Sequence, residues 1–295
     1  MAPPEHRTSA TLNLVGAGRV AQTLASLWHA QRCFVIQDVL TTSLTSAQAA
    51  CAVVGSGQPV AALQDLRPAA VWMLAVPDAQ IGAAAKAMAT HFQHLQAVQP
   101  VVAGDVDTQT PIVFHCSGAH SVAVLEPLAA LGWHVASAHC ILSFTTVATA
   151  LAQFPGTPCA LEGDAQACAV LRPAFTTIGA RCFDIASADK LLYHAAAVFA
   201  TNFLPVLQDR AEALWQTTGM PAELIPALRE KLLRHAVTNI TMLGPKAALT
   251  GPAARGDTAA IARQGAAVAQ WDAQTGAAYH SLSELALRLA QGKSH

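Results

Sequence analysis

The chain is predicted to be an α/β protein, with a doubly wound, mostly parallel sheet in its first part and an all-α second part. Three observations carry this. Strand-like apolar runs alternate with helical runs from residue 11 to about residue 185, the pattern that builds a parallel sheet covered by helices on both faces. The first strand, residues 11–15, runs directly into the glycine turn Gly16-Ala17-Gly18 and then into a helix. After residue 186 no strand pattern remains and long apolar helical runs take over. At 295 residues the chain exceeds the roughly 100–200 residues of one domain, and the change of pattern divides it into residues 1–186 and 187–295.

The elements follow in order. The glycine turn leads into a helix over 20–29 and a second strand over 33–40. An Ala-rich helix over 44–54 comes next, with Thr45 or Ser46 as its cap. The apolar strand 69–76 stops at Pro77-Asp78 and a helix covers 79–94. A Gln/Val/Asp-rich connection, 96–110, reads as a surface insertion. The sheet resumes with strand 112–116, the turn Ser117-Gly118-Ala119, helix 121–131 and strand 134–139. Strands at 158–161 and 181–185 flank a helix at 165–178. The second part opens with one long apolar helix, 188–218, stopped by Gly219 and Pro221. A second helix spans 222–243, and one or two more lie within 257–291.

Composition narrows the function. Hydrophobic residues make up 53% and charged residues 12%, so a sizeable apolar area is left for another subunit to cover, and a homodimer formed through the helices after 186 is expected. A net charge of -1 without any Lys/Arg run excludes nucleic acid and an anionic membrane surface as partners. The seven cysteines lack metal spacing and read as small buried residues in a reducing compartment. No metal is expected. Residues 1–10 read as a frayed tail without the apolar core of a signal peptide. The apolar stretch 195–207, interrupted by Asn202 and Pro205, falls short of the roughly 20 residues of a membrane span. A cytoplasmic protein is expected.

The chemistry should lie in loops beyond the carboxyl ends of the strands. Gly16 allows the tight turn, Gly18 lets the backbone approach a pyrophosphate, and the N-terminus of the following helix favours an anion. Gly16, Ala17, Gly18, Arg19 and Val20 therefore form the core of a dinucleotide site, to which Val76, Pro77, Asp78 and Ser117 add the loops of later strands. At the end of the second strand an acidic residue selects NAD and hydroxyl or basic groups select NADP. Asp38 has the NAD spacing. The strand's end at Thr41, Thr42 and Ser43 places Thr42 and Ser43 at the ribose and favours NADP over NAD. In the helical part, Lys190 and His194 share a helix face, with Asn202 two turns further on. Such a polar stripe on an apolar helix needs partners, and His194, Lys190 and Asn202 are the catalytic candidates, beside the reading of His194 as a structural histidine. In 249–257, Asp257 caps the next helix and Arg255 is free to meet an anion.

These segments resemble an uncharacterised family of Rossmann-like oxidoreductases with a helical C-terminal domain of unassigned function. That family is related to pyrroline-5-carboxylate reductase, ketopantoate reductase and the 3-hydroxyacid dehydrogenases. The residues that carry the resemblance are Val15-Gly16-Ala17-Gly18-Arg19-Val20, Ala75-Val76-Pro77-Asp78, His115-Cys116-Ser117-Gly118-Ala119, Tyr193-His194-Ala195-Ala196, Asn202 and the run Leu-Thr-Gly-Pro-x-x-Arg-Gly-Asp at 249–257. The family has His-Pro-Leu where this chain has His139-Cys140-Ile141, with His139 retained. The resemblance implies a Rossmann domain, a helical dimerisation domain and a nicotinamide cofactor, without a substrate. The resulting expectation is an NADP-preferring oxidoreductase that moves a hydride to or from a small carbonyl or imine held between the domains. His139, Thr250 and Arg255 bind that substrate. The alternative is a nucleotide-binding regulator or scaffold without turnover.

Overall fold

The computed structural model describes residues 10–98 and 110–292. Most of the expected N-terminal tail and of the 96–110 connection lies outside the described residues. The chain divides into two compact units, Met1–Ala197 and Val198–His295.

The first unit follows a strand-then-helix order. β1 (Ala10–Val15), α1 (Arg19–Ala30), β2 (Phe34–Leu40), α2 (Leu44–Val54) and β3 (Gln58–Val60) come first. Next are β4 (Val71–Leu74), α3 (Ile81–Val98), β5 (Ile112–His115), α4 (Glu126–Ala129) and β6 (His134–Cys140). α5 (Val147–Gln153), β7 (Pro158–Gly163), α6 (Ala165–Thr177), β8 (Arg181–Asp184) and α7 (Lys190–Ala197) complete it. The eight strands form one sheet in the order β3-β2-β1-β4-β5-β6-β7-β8. The order reverses between β1 and β4, and such a switch point leaves a crevice at the carboxyl ends of the strands. β7 pairs antiparallel with β6 and β8 parallel with β7, so the last two strands run against the other six. The chain between β6 and β7 does not cross the sheet; it comes back at the same end, where Ile141 N–H donates to Pro158 O at 2.9 Å.

Apolar side chains pack on both faces. On one, Trp28 is the hub of edge-to-face contacts with Phe34, Phe114 and Phe175, and its indole N–H is satisfied by Ala174 O at 3.1 Å. On the other, Trp72 packs against Phe92 and Trp133. Each fully buried ring stabilises the fold by roughly 1.5–3 kcal/mol.

Several local expectations are corrected. α2 is capped by Ser43, whose hydroxyl accepts from Ser46 N, rather than by Thr45 or Ser46. The expected helix over 121–131 is a 3-10 turn, Val122–Leu125, followed by the single turn α4. The long helix over 188–218 is composite: a 3-10 turn at Ser187–Asp189, α7, a π turn at Val198–Asn202, and α8 (Phe203–Thr217). Pro205 has no N–H for an i−4 bond and its ring crowds the carbonyl of residue 201, which is where a π turn relieves a helix. The first compact unit runs to Ala197, and Lys190 of α7 is buried in it.

The second unit holds α8, α9 (Ile225–Ala248), α10 (Gly251–Ala254), α11 (Thr258–Trp271) and α12 (Ala273–Gln291). α9 breaks at Gly244, whose φ of 77° only glycine adopts freely. α11 and α12 pack so closely that a Cβ on Gly276 would lie 2.6 Å from Ala269 Cα. Asp257 caps α11 through Ala260 N. The helical run Ser187–Thr217, with a mean hydropathy of 1.3, is long and apolar enough to cross a membrane by length and composition.

Candidate functional site

The glycine loop lies where β1 and β4 diverge. Gly16 has φ +87°, and a Cβ there would stand 2.6 Å from Ala75 C and Val76 N. No other residue fits so close to the next loop. Gly16 N–H donates to Leu40 O at 2.8 Å, and Ala75 N–H to Val15 O at 2.8 Å, so the turns after β1 and β4 hold each other. Gly18 is the N-cap of α1 without any side-chain cap, and a Cβ on it would meet nothing within 4 Å. The open N-terminus of a 12-residue helix is thus presented at the switch point, a cradle that fits a pyrophosphate. The flanks are tied down. Ala17 O accepts from Gln22 Nε2 at 2.7 Å and Arg19 donates to Thr145 O at 2.9 Å. Val20, Leu24, Cys116, His139 and Phe144 line a cavity of about 80 Å³ beside the loop.

At the end of β2, the Asp38 side chain is 1% exposed and pairs with Arg67 at 2.5 Å while also accepting Arg67 N–H at 2.8 Å. This aspartate is spent on the fold. Beyond it, Thr41 donates to Ser43 O, Ser43 caps α2, and Thr42 is exposed.

The turn after β5 is over-determined. Ser117 donates to Asp78 Oδ2 at 2.5 Å and its oxygen accepts from Ala119 N and His120 N at 3.2 and 3.0 Å. Asp78 therefore ties the β4 turn, with Val76 and Pro77, to the β5 turn. Fully buried His115 receives Ser117 N–H on Nδ1 at 3.1 Å and faces Ser121 O through Nε2 at 3.2 Å. A backbone N–H can only donate, so the proton of this imidazole is on Nε2. Burial, reinforced by the Lys190 charge, lowers its pKa to about 4.

Over this turn stands α7. Lys190, 1% exposed, donates to Ser117 O at 3.1 Å and to Ser137 Oγ, and lies 3.3 Å from Glu162 Oε2. Two hydrogen bonds and one ion pair, with Glu162 Oε2 accepting no hydrogen bond, hold the ammonium in place, a setting for a fixed charge rather than for an ammonium that exchanges with a ligand. Burial lowers the Lys190 pKa, against the opposing charge of Glu162. His139, at the end of β6, has Nδ1 2.8 Å from Tyr193 Oη, and its ring meets that of His194 edge to face. Burial first, then the neighbouring His194 and Lys190, lower the His139 pKa to about 4. His194 Nδ1 is buried without a hydrogen-bond partner. An orphaned imidazole nitrogen beside a second, neutral imidazole is an arrangement that can accept or deliver a proton.

The structure thus gathers Gly16–Val20 with Val76, Pro77 and Asp78, and gathers Ser117 with His139, Lys190 and His194, all within the first unit. The other candidates belong to the second unit. Asn202 is exposed in the π turn, its Oδ1 accepting from Thr201 at 2.8 Å. Thr250 is the N-cap of α10, and exposed Arg255 follows its end. A larger cavity of about 380 Å³ lies between α11 and α12, lined mainly by small residues with Tyr279 and His280. Among the described residues, no group of three or more His, Cys, Asp or Glu is placed to hold a metal ion. Sequence reasoning missed Glu162, Ser137 and the roles of His115 and Tyr193. The available signal was the position of His115 at the end of β5 and of Tyr193 beside His194; Ser137, in the middle of β6, and Glu162, in β7, carried none.

Residues 5–140 match the model of a Rossmann-like domain, and residues 157–286 match that of a domain of unknown function, DUF2520. No curated protein matches the chain. Among solved structures, protein TM1727 from Thermotoga maritima is similar at 24% identity with a TM-score of 0.72, over 96% of this chain and 99% of that one. BF3122 from Bacteroides fragilis, a protein to which NADP oxidoreductase activity is ascribed, is 22% identical with a TM-score of 0.64 over 95% and 99% of the two chains. The 1-pyrroline-5-carboxylate reductase of Streptococcus pyogenes is 13% identical with a TM-score of 0.57 over 95% and 99%. At these identities the likeness is one of fold.

Proposed function

Because this chain joins a Rossmann-like domain to a DUF2520 domain, we propose that it is a nicotinamide-dinucleotide-dependent oxidoreductase acting on a small carbonyl or imine. The observation that carries the reading is the uncapped α1 N-terminus at Gly18, set at the switch point of a sheet whose neighbouring loops lead to the paired imidazoles of His139 and His194. The dinucleotide, when bound, supplies or accepts the hydride. Gly16–Val20 hold its pyrophosphate, and Val76, Pro77, Asp78 and Ser117 shape the wall along it. Thr42 and Ser43, with the N-terminus of α2, receive the ribose. The engagement of Asp38 with Arg67 supports NADP over NAD.

His194 is the proton donor in this reading. Its Nδ1 has no protein partner to release, and His139, kept neutral, can share the proton. Ser117, locked to Asp78, positions the turn beneath them. Asn202, Thr250 and Arg255 are proposed as substrate-anchoring groups, Arg255 because its guanidinium forms a fork matched to a carboxylate. Large exposed apolar side chains recur in the second unit, among them Met242 at 77% and Leu243 at 59%. They support a homodimer that covers them, and the same exposure accounts for the apolar character of α8 without a bilayer. The seven free thiols support a reducing, cytoplasmic setting.

The test has two parts. Fluorescence titration with NADPH and NADH should give saturable binding with NADPH the tighter ligand, and a panel of keto acids and cyclic imines should then show NADPH consumption. Binding without turnover across the panel would favour a dinucleotide-binding regulator. Solution mass should be that of a dimer at micromolar concentration, and a strict monomer would contradict the assembly.

A further inference from the structure

We propose that the buried pair Glu162–Lys190 is a positioning device that holds the His139–His194 cluster in register with the Ser117–Gly118 turn. The proposal rests on the reading of that cluster as the proton-transfer site.

Glu162 lies on β7 directly opposite Ser137 of β6 and is 6% exposed. Its Oε1 accepts from Val122 N at 2.9 Å and from Ser187 Oγ. Its Oε2 faces Lys190 Nζ at 3.3 Å. One carboxylate therefore touches the segment that follows the Gly118 turn, the 3-10 turn that leads into α7, and the first residue of α7 itself. Lys190 closes the circuit on Ser117 O and Ser137 Oγ. His194 stands one helical turn along from Lys190, so fixing the lysine fixes where the imidazole stands over Gly118.

Thermodynamics says why such a pair would be kept. Two apolar side chains could fill the same space at equal or better stability, because a buried ion pair gives back much of its attraction as desolvation. What apolar contacts do not provide is directionality: four polar partners and the ion pair itself fix one arrangement of β6, β7, α7 and the turn after β5, whereas apolar surfaces slide. The lysine charge has a second effect. It stands near His115 and His139, and it adds to burial in keeping both neutral. The other groups facing His139 are His194 and His115, which act in the same direction, Asp78, which opposes, and the Tyr193 hydroxyl bonded to Nδ1.

The full-length protein is compared with Glu162→Gln and with the double variant Lys190→Met/Glu162→Gln. NADPH affinity is read by fluorescence, and the imidazole resonances of His139 and His194 by NMR without cofactor. The double variant should fold, because removing both charges orphans neither. NADPH affinity should change less than kcat does, since neither residue touches Gly16–Val20 and Lys190 reaches the wall along the dinucleotide only through Ser117 O. The ring resonances of both histidines should move, and the protonation midpoint of His139 should rise from about 4 toward the ordinary histidine range. With a turnover assay, kcat should fall about tenfold or more while KM changes little. Unchanged ring resonances in the folded double variant would overturn the proposal. A double variant that does not fold would also overturn it, since the pair would then be serving the fold and not the register. Failure of NADPH to bind even the parent protein would instead overturn the dinucleotide reading, and the ring comparison would still stand.

Discussion

His139 and His194 meet edge to face with ring centroids 5.9 Å apart, and both close on the same point above Gly118. A Cβ on that glycine would stand 2.6 Å from His194 Nδ1 and 2.8 Å from His139 Nε2. The glycine is required by the two rings rather than by its own dihedrals. Gly118→Ala should therefore push the imidazoles apart, lowering stability by about 1–3 kcal/mol, as overpacking does, and turnover more than tenfold, as expected when reacting groups are displaced. Thermal melting and NADPH consumption check this. An alanine variant with parent activity would place the chemistry elsewhere.

Gly16 and Gly18 should fail in different ways. A side chain at Gly16 collides with the Ala75–Val76 backbone and is strained at φ +87°, so Gly16→Ala should lower the melting temperature. At Gly18 there is open space. Gly18→Asp should fold normally and lose dinucleotide affinity by about a hundredfold or more, because its carboxylate occupies the place of the pyrophosphate and repels it. Circular dichroism and NADPH titration separate the two outcomes.

Stability should fall as the solution is acidified through a defined window. His115 and His139 are both lowered to about 4 in the folded chain, chiefly by burial, whereas the unfolded chain takes up protons near pH 6.5. Between these values the unfolded state binds more protons, so stability is fully present above about pH 6.5 and is lost progressively down to about pH 4. For fully buried His115 the loss is about 3 kcal/mol. His115→Asn should flatten this part of the profile in denaturant unfolding measured from pH 7 to pH 4.

Kinetics should separate His194 from Arg255. His194→Ala should mainly lower kcat by removing a proton donor, while Arg255→Lys should mainly raise KM by replacing a bidentate fork with a point charge. Both variants should bind NADPH as the parent does. If both changes lower melting temperature and leave the kinetics of the folded fraction unaltered, the two residues serve structure alone.

The parts of the fold written in local pattern were legible. The β1 corner could be read because Gly16 and Gly18 interrupt an apolar run at the point where its period changes. The direction of β7 could not, since a buried strand has the same pattern parallel or antiparallel. β3 was missed because Gln58-Pro59-Val60 is too short and lacks a strand-like period. The break at Val198–Asn202 was hidden because only Pro205 marks it within an otherwise continuous helical composition. In the site, His194 stood out as a polar residue on an apolar helix. Glu162 did not, because a glutamate in a strand ordinarily faces solvent, and its burial depends on Lys190 arriving from 28 positions further along the chain. Asp38 shows the limit of spacing rules: it has the position of a ribose ligand, but Arg67 engages its carboxylate.

Whether the open α1 N-terminus at Gly18 binds a nicotinamide dinucleotide is decided by NADPH fluorescence titration of the parent protein beside folded Gly18→Asp. Saturable binding to the parent, lost in the variant while its melting temperature is retained, is the predicted result. Equal affinity in both proteins, or no binding to the parent at millimolar NADPH, would contradict it.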